Sequence, residues 1–197
     1  MKWSSVSRVI SSNWFLLAVA AALYLTGLHT PVIAFVQRGI LATGLLQPTV
    51  AERGPVTDLD FRMVDHAGRT IDARDLAGKV VFLNLWASWC PPCLAELPSI
   101  EALWAAYAGD DRVVFVLLNV EADAAKGWDL VARNGYRAPV YRLAGRLPAE
   151  LASGTLPTTY LVAPDGQLLV QRKGMAKYDT RAFRKLLERT AKKVSDR

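Results

Sequence analysis

Cys90 and Cys93 are the only cysteines in a chain of 197 residues, and they stand three apart in Trp89-Cys90-Pro91-Pro92-Cys93. A disulfide across so short a loop removes little freedom from the unfolded chain, so it makes a poor structural staple. Reactivity accounts for the pair better than stability does. Two thiols at this spacing can divide the work of disulfide exchange, one attacking a partner sulfur and the other resolving the adduct. Zinc would need two further Cys or His ligands. Only His29 and His66 remain, one inside an apolar run and one in a turn, so no metal is expected. No glycine-rich phosphate loop is present either, and no cofactor is expected.

The surrounding sequence says how such a pair would be held. Val80 to Trp86 is an almost continuous apolar run, as a strand buried on both faces should be. A helix is expected from Pro91 to Tyr107, with Leu94, Leu97, Ile100, Leu103 and Trp104 on one stripe. Val113 to Leu118 is a second buried strand, which completes a βαβ unit with parallel strands. Cys90 therefore follows a strand directly, and Cys93 lies in the first turn of a helix. There the free N–H groups and the helix dipole stabilise a thiolate. Pro91 and Pro92 suit that turn because their missing N–H groups have no intrahelical partner to lose. Cys90, at the expected exposed tip, is the nucleophile, and Cys93 is the resolving thiol.

Further along, residues 60–65 and 70–72 form an expected hairpin, and a helix is expected from Ala124 to Asn134 with Gly135 closing it. Residues 159–162 and 167–170 flank Ala163-Pro164-Asp165-Gly166 as a second hairpin. A last helix runs from Asp179 to Lys193, its apolar residues Phe183, Leu186, Leu187 and Val194 opposite a basic, solvated face. That face explains the clustered charge better than nucleic-acid binding does. Trp86, Trp104 and Trp128 are expected in the core, and Asp123 is expected to cap the helix that follows it.

The first fifty residues differ in kind. Three of the 24 basic residues and none of the 18 acidic ones precede Glu52, and no charge occurs between Arg8 and Arg38. The reading is a cytoplasmic N-terminus over residues 1–13, a transmembrane anchor over 14–36, an interfacial segment and tether over 37–57, and a globular domain over 58–197. Pro31 is expected to kink the anchor or end it near His29. A cleaved signal peptide is the rival, with Lys2 and Arg8 as its charged start, but the apolar run continues without a polar cleavage region.

At Trp86-Ala87-Ser88-Trp89-Cys90-Pro91-Pro92-Cys93 the chain resembles thioredoxin-fold proteins of the TlpA/ResA type. The resemblance extends over roughly residues 58–193, through the early hairpin, Asp75-Leu76-Ala77-Gly78-Lys79 and Leu156-Pro157-Thr158-Thr159-Tyr160. It implies an α/β thioredoxin-like domain, a central mixed sheet flanked by helices with an extra N-terminal hairpin. It also implies a membrane-anchored, periplasmic or otherwise extracytoplasmic reductant of the cytochrome c maturation type. Protein thiols and disulfides would be its substrates, and an upstream membrane dithiol donor would recharge it.

Residue by residue, the resemblance makes Pro157 a cis-proline, Leu156 the backbone that pairs with an extended substrate, and Trp89 a substrate contact. Where cytoplasmic thioredoxins carry a buried acid, six residues before the first cysteine, this chain has Asn84. Glu96 matches the acid of the ResA-like branch and is read as a thiol-tuning group, against the alternative of a solvated helix glutamate. Two other functions fit the superfamily. A peroxiredoxin-like antioxidant enzyme resembles Thr-x-x-Cys, where this chain has Ala87. A non-catalytic metallochaperone module uses CxxxC with a histidine, which is absent here.

Overall fold

The computed structural model describes residues 4–48 and 54–195. It opens with α1 (Ser4–Leu25) and α2 (His29–Ala42). A hairpin follows, β1 (Arg62–Val64) and β2 (Thr70–Asp72), with a 3-10 turn at Ala73–Leu76. Next come β3 (Val80–Trp86), α3 (Pro91–Tyr107), β4 (Val113–Asn119) and α4 (Ala124–Arg133). The chain ends with β5 (Val140–Ala144), β6 (Thr158–Val162), β7 (Leu168–Lys173) and α5 (Arg181–Ser195).

The seven strands form one mixed sheet in the order β2-β1-β5-β4-β3-β6-β7. Strands β3, β4 and β5 are parallel, and the others join antiparallel. Every residue of β3 is buried, which is why that strand reads as an unbroken apolar run. Its alternate side chains serve two cores. Val80, Phe82 and Trp86 pack with Leu97, Ile100 and Leu103 of α3 and with Phe183 and Leu187 of α5. Val81, Leu83 and Leu85 pack with Leu59, Phe61, Ala73 and Leu151 on the other face. Trp86 is wholly buried, while Trp104 and Trp128 pack on the core's edge.

This is the expected thioredoxin-like sheet with its extra hairpin, plus β5, a strand that no run or alternation in the sequence marks. Gly135 (φ +67) follows the end of α4 in the left-handed region, as its place after a helix requires. Asp123 sits at the N-cap of α4 but makes no side-chain capping bond. Its carboxylate instead lies 3.6 Å from Lys126 Nζ.

The N-terminal region is two helices instead of one. Gly27 takes a left-handed φ of +71° between them, and α1 and α2 meet at 105°. Pro31 falls in the first turn of α2, where a missing N–H costs nothing. Among the described residues, no single helix is long and apolar enough to cross a membrane. Trp14–Leu25 and His29–Ala42 pass that test only as a bent pair. Helix α2 packs on α3, burying Ala34 and Leu41.

The segment read as a tether is attached where it is described. Lys177 N–H donates to the Leu46 carbonyl, Leu168 N–H to Pro55, and Thr57 N–H to Gly166. A Cβ on Gly166 would meet the Thr57 carbonyl at 2.5 Å, so the close approach needs glycine there. Residues 49–53 of that segment lie outside the described residues.

Candidate active site

Cys90 is the N-cap of α3, with extended backbone (φ −95°, ψ 101°), and Pro91 and Pro92 occupy the first turn. Its Sγ accepts a hydrogen bond from the Cys93 N–H at 3.3 Å. A sulfur therefore fills the place that Ser or Asp usually takes at a helix start, with the positive end of the dipole directed at it. Cys90 and Cys93 are joined as a disulfide, their Cα atoms 5.3 Å apart.

Cys90 is less exposed than a tip residue was expected to be, at 4%, and Cys93 is at 0%. The order of access still favours Cys90. Trp89, the residue before it, is 63% exposed and carries the apolar surface at the mouth of the site.

A carboxylate braces the loop between β3 and α3. Glu121, just beyond β4, accepts from the Ser88 N–H at 3.2 Å and from the Ser88 hydroxyl at 2.8 Å. Asn119 Nδ2 donates to the same carboxylate at 2.6 Å. Its position at the carboxyl edge of a parallel strand was the available signal, since that edge is where such sheets place functional groups.

Beneath the disulfide, Glu96 is wholly buried, one helical turn beyond Cys93. Asn84 Nδ2 donates to Glu96 Oε1 at 2.7 Å, and the Ala176 N–H donates to Oε2 at 3.1 Å. Asn84 Nδ2 also donates to Thr159 Oγ1 at 2.8 Å. Loss of hydration pushes the Glu96 carboxyl up from 4.5 to about 8, against the lowering effect of the Ala176 and Asn84 donors and the Arg172 charge. Glu96 is thus no solvated helix residue. It is a buried carboxyl held by two elements outside its own helix, the strand β3 and the loop before α5.

The Leu156–Pro157 bond is cis. Thr158 pairs with Leu85 and Thr159 with Asn84, so Pro157 sits at the end of β6 that lies beside the carboxyl end of β3. Sheet register therefore brings Leu156, Pro157, Trp89, Cys90, Cys93 and Glu96 to one end of the domain. The two histidines are not part of it. His66 stacks edge-on against Trp128, 5.5 Å between ring centres, and His29 stacks on Tyr24. Among the described residues no three His, Cys, Asp or Glu side chains converge as metal ligands.

The family model described as Redoxin matches residues 51–169, more than half of the chain. The chain belongs to the redoxin family. Among its relatives is the thiol-disulfide oxidoreductase ResA of Bacillus thuringiensis (strain Al Hakam), 34% identical over 113 residues. That match covers 57% of this redoxin and 65% of the relative, so the chain spans just under two thirds of that protein's length. The thiol:disulfide interchange protein DsbE of Pseudomonas aeruginosa is 28% identical over 163 residues, covering 82% of this chain and 87% of that one. Among solved structures, a thioredoxin-family thiol:disulfide interchange protein from Chlorobium tepidum TLS superposes with a TM-score of 0.57 at 22% identity. It covers 72% of this chain and 98% of its own, and this likeness speaks for the fold.

Proposed function

We propose that this redoxin is a thiol–disulfide oxidoreductase that works outside the cytoplasm, chiefly as a reductant of protein disulfides in the manner of cytochrome c maturation. The observation that carries the reading is the Cys90–Cys93 pair at a helix N-terminus with a buried carboxyl one turn behind it.

In the reduced state, the Cys90 thiolate attacks one sulfur of a substrate disulfide. The substrate S–S bond breaks, a mixed disulfide forms through Cys90, and the other substrate sulfur leaves as a thiolate. Cys93 then gives its proton to the Glu96 carboxylate and attacks Cys90 Sγ. The mixed disulfide breaks, the second substrate sulfur departs, and Cys90–Cys93 closes. Two electrons have passed from the dithiol to the substrate, and the departing thiolates take up protons. Leu156 supplies backbone to an extended substrate beside cis-Pro157, and Trp89 supplies apolar contact. An upstream membrane dithiol donor returns two electrons to the pair.

Helix α1 is the anchor in this reading. Its charge-free part, residues 9–25, rises about 26 Å into a hydrocarbon core of about 30 Å, and it meets the length and hydropathy of a span only together with α2. Lys2 and Arg8 precede its apolar part, and the absence of any acidic residue before it supports a cytoplasmic N-terminus.

Equilibration of the full-length protein in detergent with glutathione buffers tests the direction of electron flow. A reductant has a potential nearer thioredoxin's value of about −270 mV than DsbA's of about −120 mV. A value above about −180 mV, the level of protein disulfide isomerase, overturns the reductant assignment.

A further inference from the structure

We infer that α2 lies in the membrane surface and clamps the redox domain to it, so that the lipid headgroup boundary is the partner of its outward face. The inference rests on reading α1 as the anchor. It goes further, because an anchor alone says nothing about how the domain is held.

Helix α2 is apolar on two opposite faces. Ala34 and Leu41 are buried against α3. On the far side, Val32, Val36 and Ile40 recur at every fourth residue with Ile33 beside them, and all are exposed. Phe35 is 75% exposed on the flank of that stripe. A helix already anchored to its domain gains nothing in water from such a face.

Continuity and geometry name the occupant. The stripe continues the charge-free run of α1, whose Trp14, Phe15, Leu16, Leu17 and Tyr24 are likewise exposed. The 105° turn is 15° past a right angle. With α1 along the bilayer normal, within ordinary tilt, α2 lies almost in the membrane plane. No acidic residue precedes Glu52, so neither helix carries a negative charge that an anionic leaflet would repel.

The clamp itself is built into α3. Pro98 has no N–H, so the Leu94 carbonyl four residues earlier lacks its helical donor. Arg38 Nη2 donates to that carbonyl at 3.2 Å. A groove of about 500 Å³ between α2 and the cysteine loop is lined by Phe35, Arg38, Trp89 and Tyr136. Clamping α2 thus fixes the mouth of the disulfide close to the bilayer, in reach of membrane-embedded dithiols.

The test uses the full chain in vesicles of phosphatidylethanolamine with phosphatidylglycerol. A ketone-bearing amino acid at Leu17, Val36, Ile40 or Lys185 takes a nitroxide without touching the cysteines. Collision with oxygen and with a nickel chelate reports depth. The expected result is burial of the labels at Val36 and Ile40 about 5–10 Å into the headgroup boundary, with Lys185 of α5 in water. Water exposure at Val36 and Ile40 with a lipid-buried Leu17 overturns the clamp and leaves the anchor standing. Water exposure at all three overturns both. A label at Val36 shielded from both quenchers and broadened by a second nitroxide identifies another copy of the chain as the occupant, which also overturns the clamp.

Discussion

Glu96→Gln removes one ionisation and keeps nearly all the shape, so its effect isolates the buried proton. A carboxyl raised from 4.5 to about 8 holds in the folded state a proton that the unfolded chain has released. Between those two values the folded state binds more protons, so stability falls as pH rises through the window. The contribution is full below about pH 4.5 and gone above about pH 8. At about 1.4 kcal/mol per pH unit, the loss across the window is on the order of 5 kcal/mol as an upper figure. Denaturant unfolding of the oxidised protein at about pH 5 and about pH 9 should show a decline of that sign in the wild type and a much flatter response in Glu96→Gln. Exchange kinetics should follow. The wild-type rate rises as the carboxylate becomes able to take the Cys93 proton near pH 8, and the variant lacks that inflection. Equal pH slopes for both proteins, in stability and in rate, would refute the assignment.

The Arg38 contact with α3 should behave as a coupled pair. Arg38→Ala should cost about 1.5–3 kcal/mol, as for a hydrogen bond from a charged donor. In a Pro98→Ala background the restored N–H serves the Leu94 carbonyl, and the cost should drop by about 1 kcal/mol in a double-mutant cycle; additive costs would refute the pairing. Glu121→Ala should cost about 1–3 kcal/mol by leaving Ser88 N–H and Asn119 without their acceptor. It should also slow disulfide exchange in a stopped-flow assay with a model disulfide, and a wild-type rate would reduce Glu121 to a surface group.

What was legible in the sequence was local. The run from Val80 to Trp86, the prolines after Cys90 and the turn at Pro164-Asp165-Gly166 each state their own geometry, and the structure places them so. Strand β5 was missed because only its first residue, Val140, is buried while the other four are half-buried, so neither a clean alternation nor an apolar run marks it. The helix break expected near His29 falls just before it, at Gly27, and Pro31 stands in the first turn of the second helix instead of kinking the first. Glu121 and Arg38 act on Ser88 and Leu94, which lie 33 and 56 residues away, and no local pattern encodes such contacts. Glu96 lay between these cases. Its spacing from Cys93 was visible, whereas its burial depends on Asn84 and Ala176 reaching it from separate elements.

The central claim is that Cys90 attacks and Cys93 resolves. Its most direct measurement is capture of mixed disulfides by single-cysteine variants of the full chain, separated without reductant after exposure to a disulfide-bonded protein. Cys93→Ser should accumulate adducts through Cys90, because attack proceeds and resolution does not. Cys90→Ser should accumulate few, since Cys93 is the more deeply buried sulfur. Adducts on Cys90→Ser with none on Cys93→Ser would contradict the account.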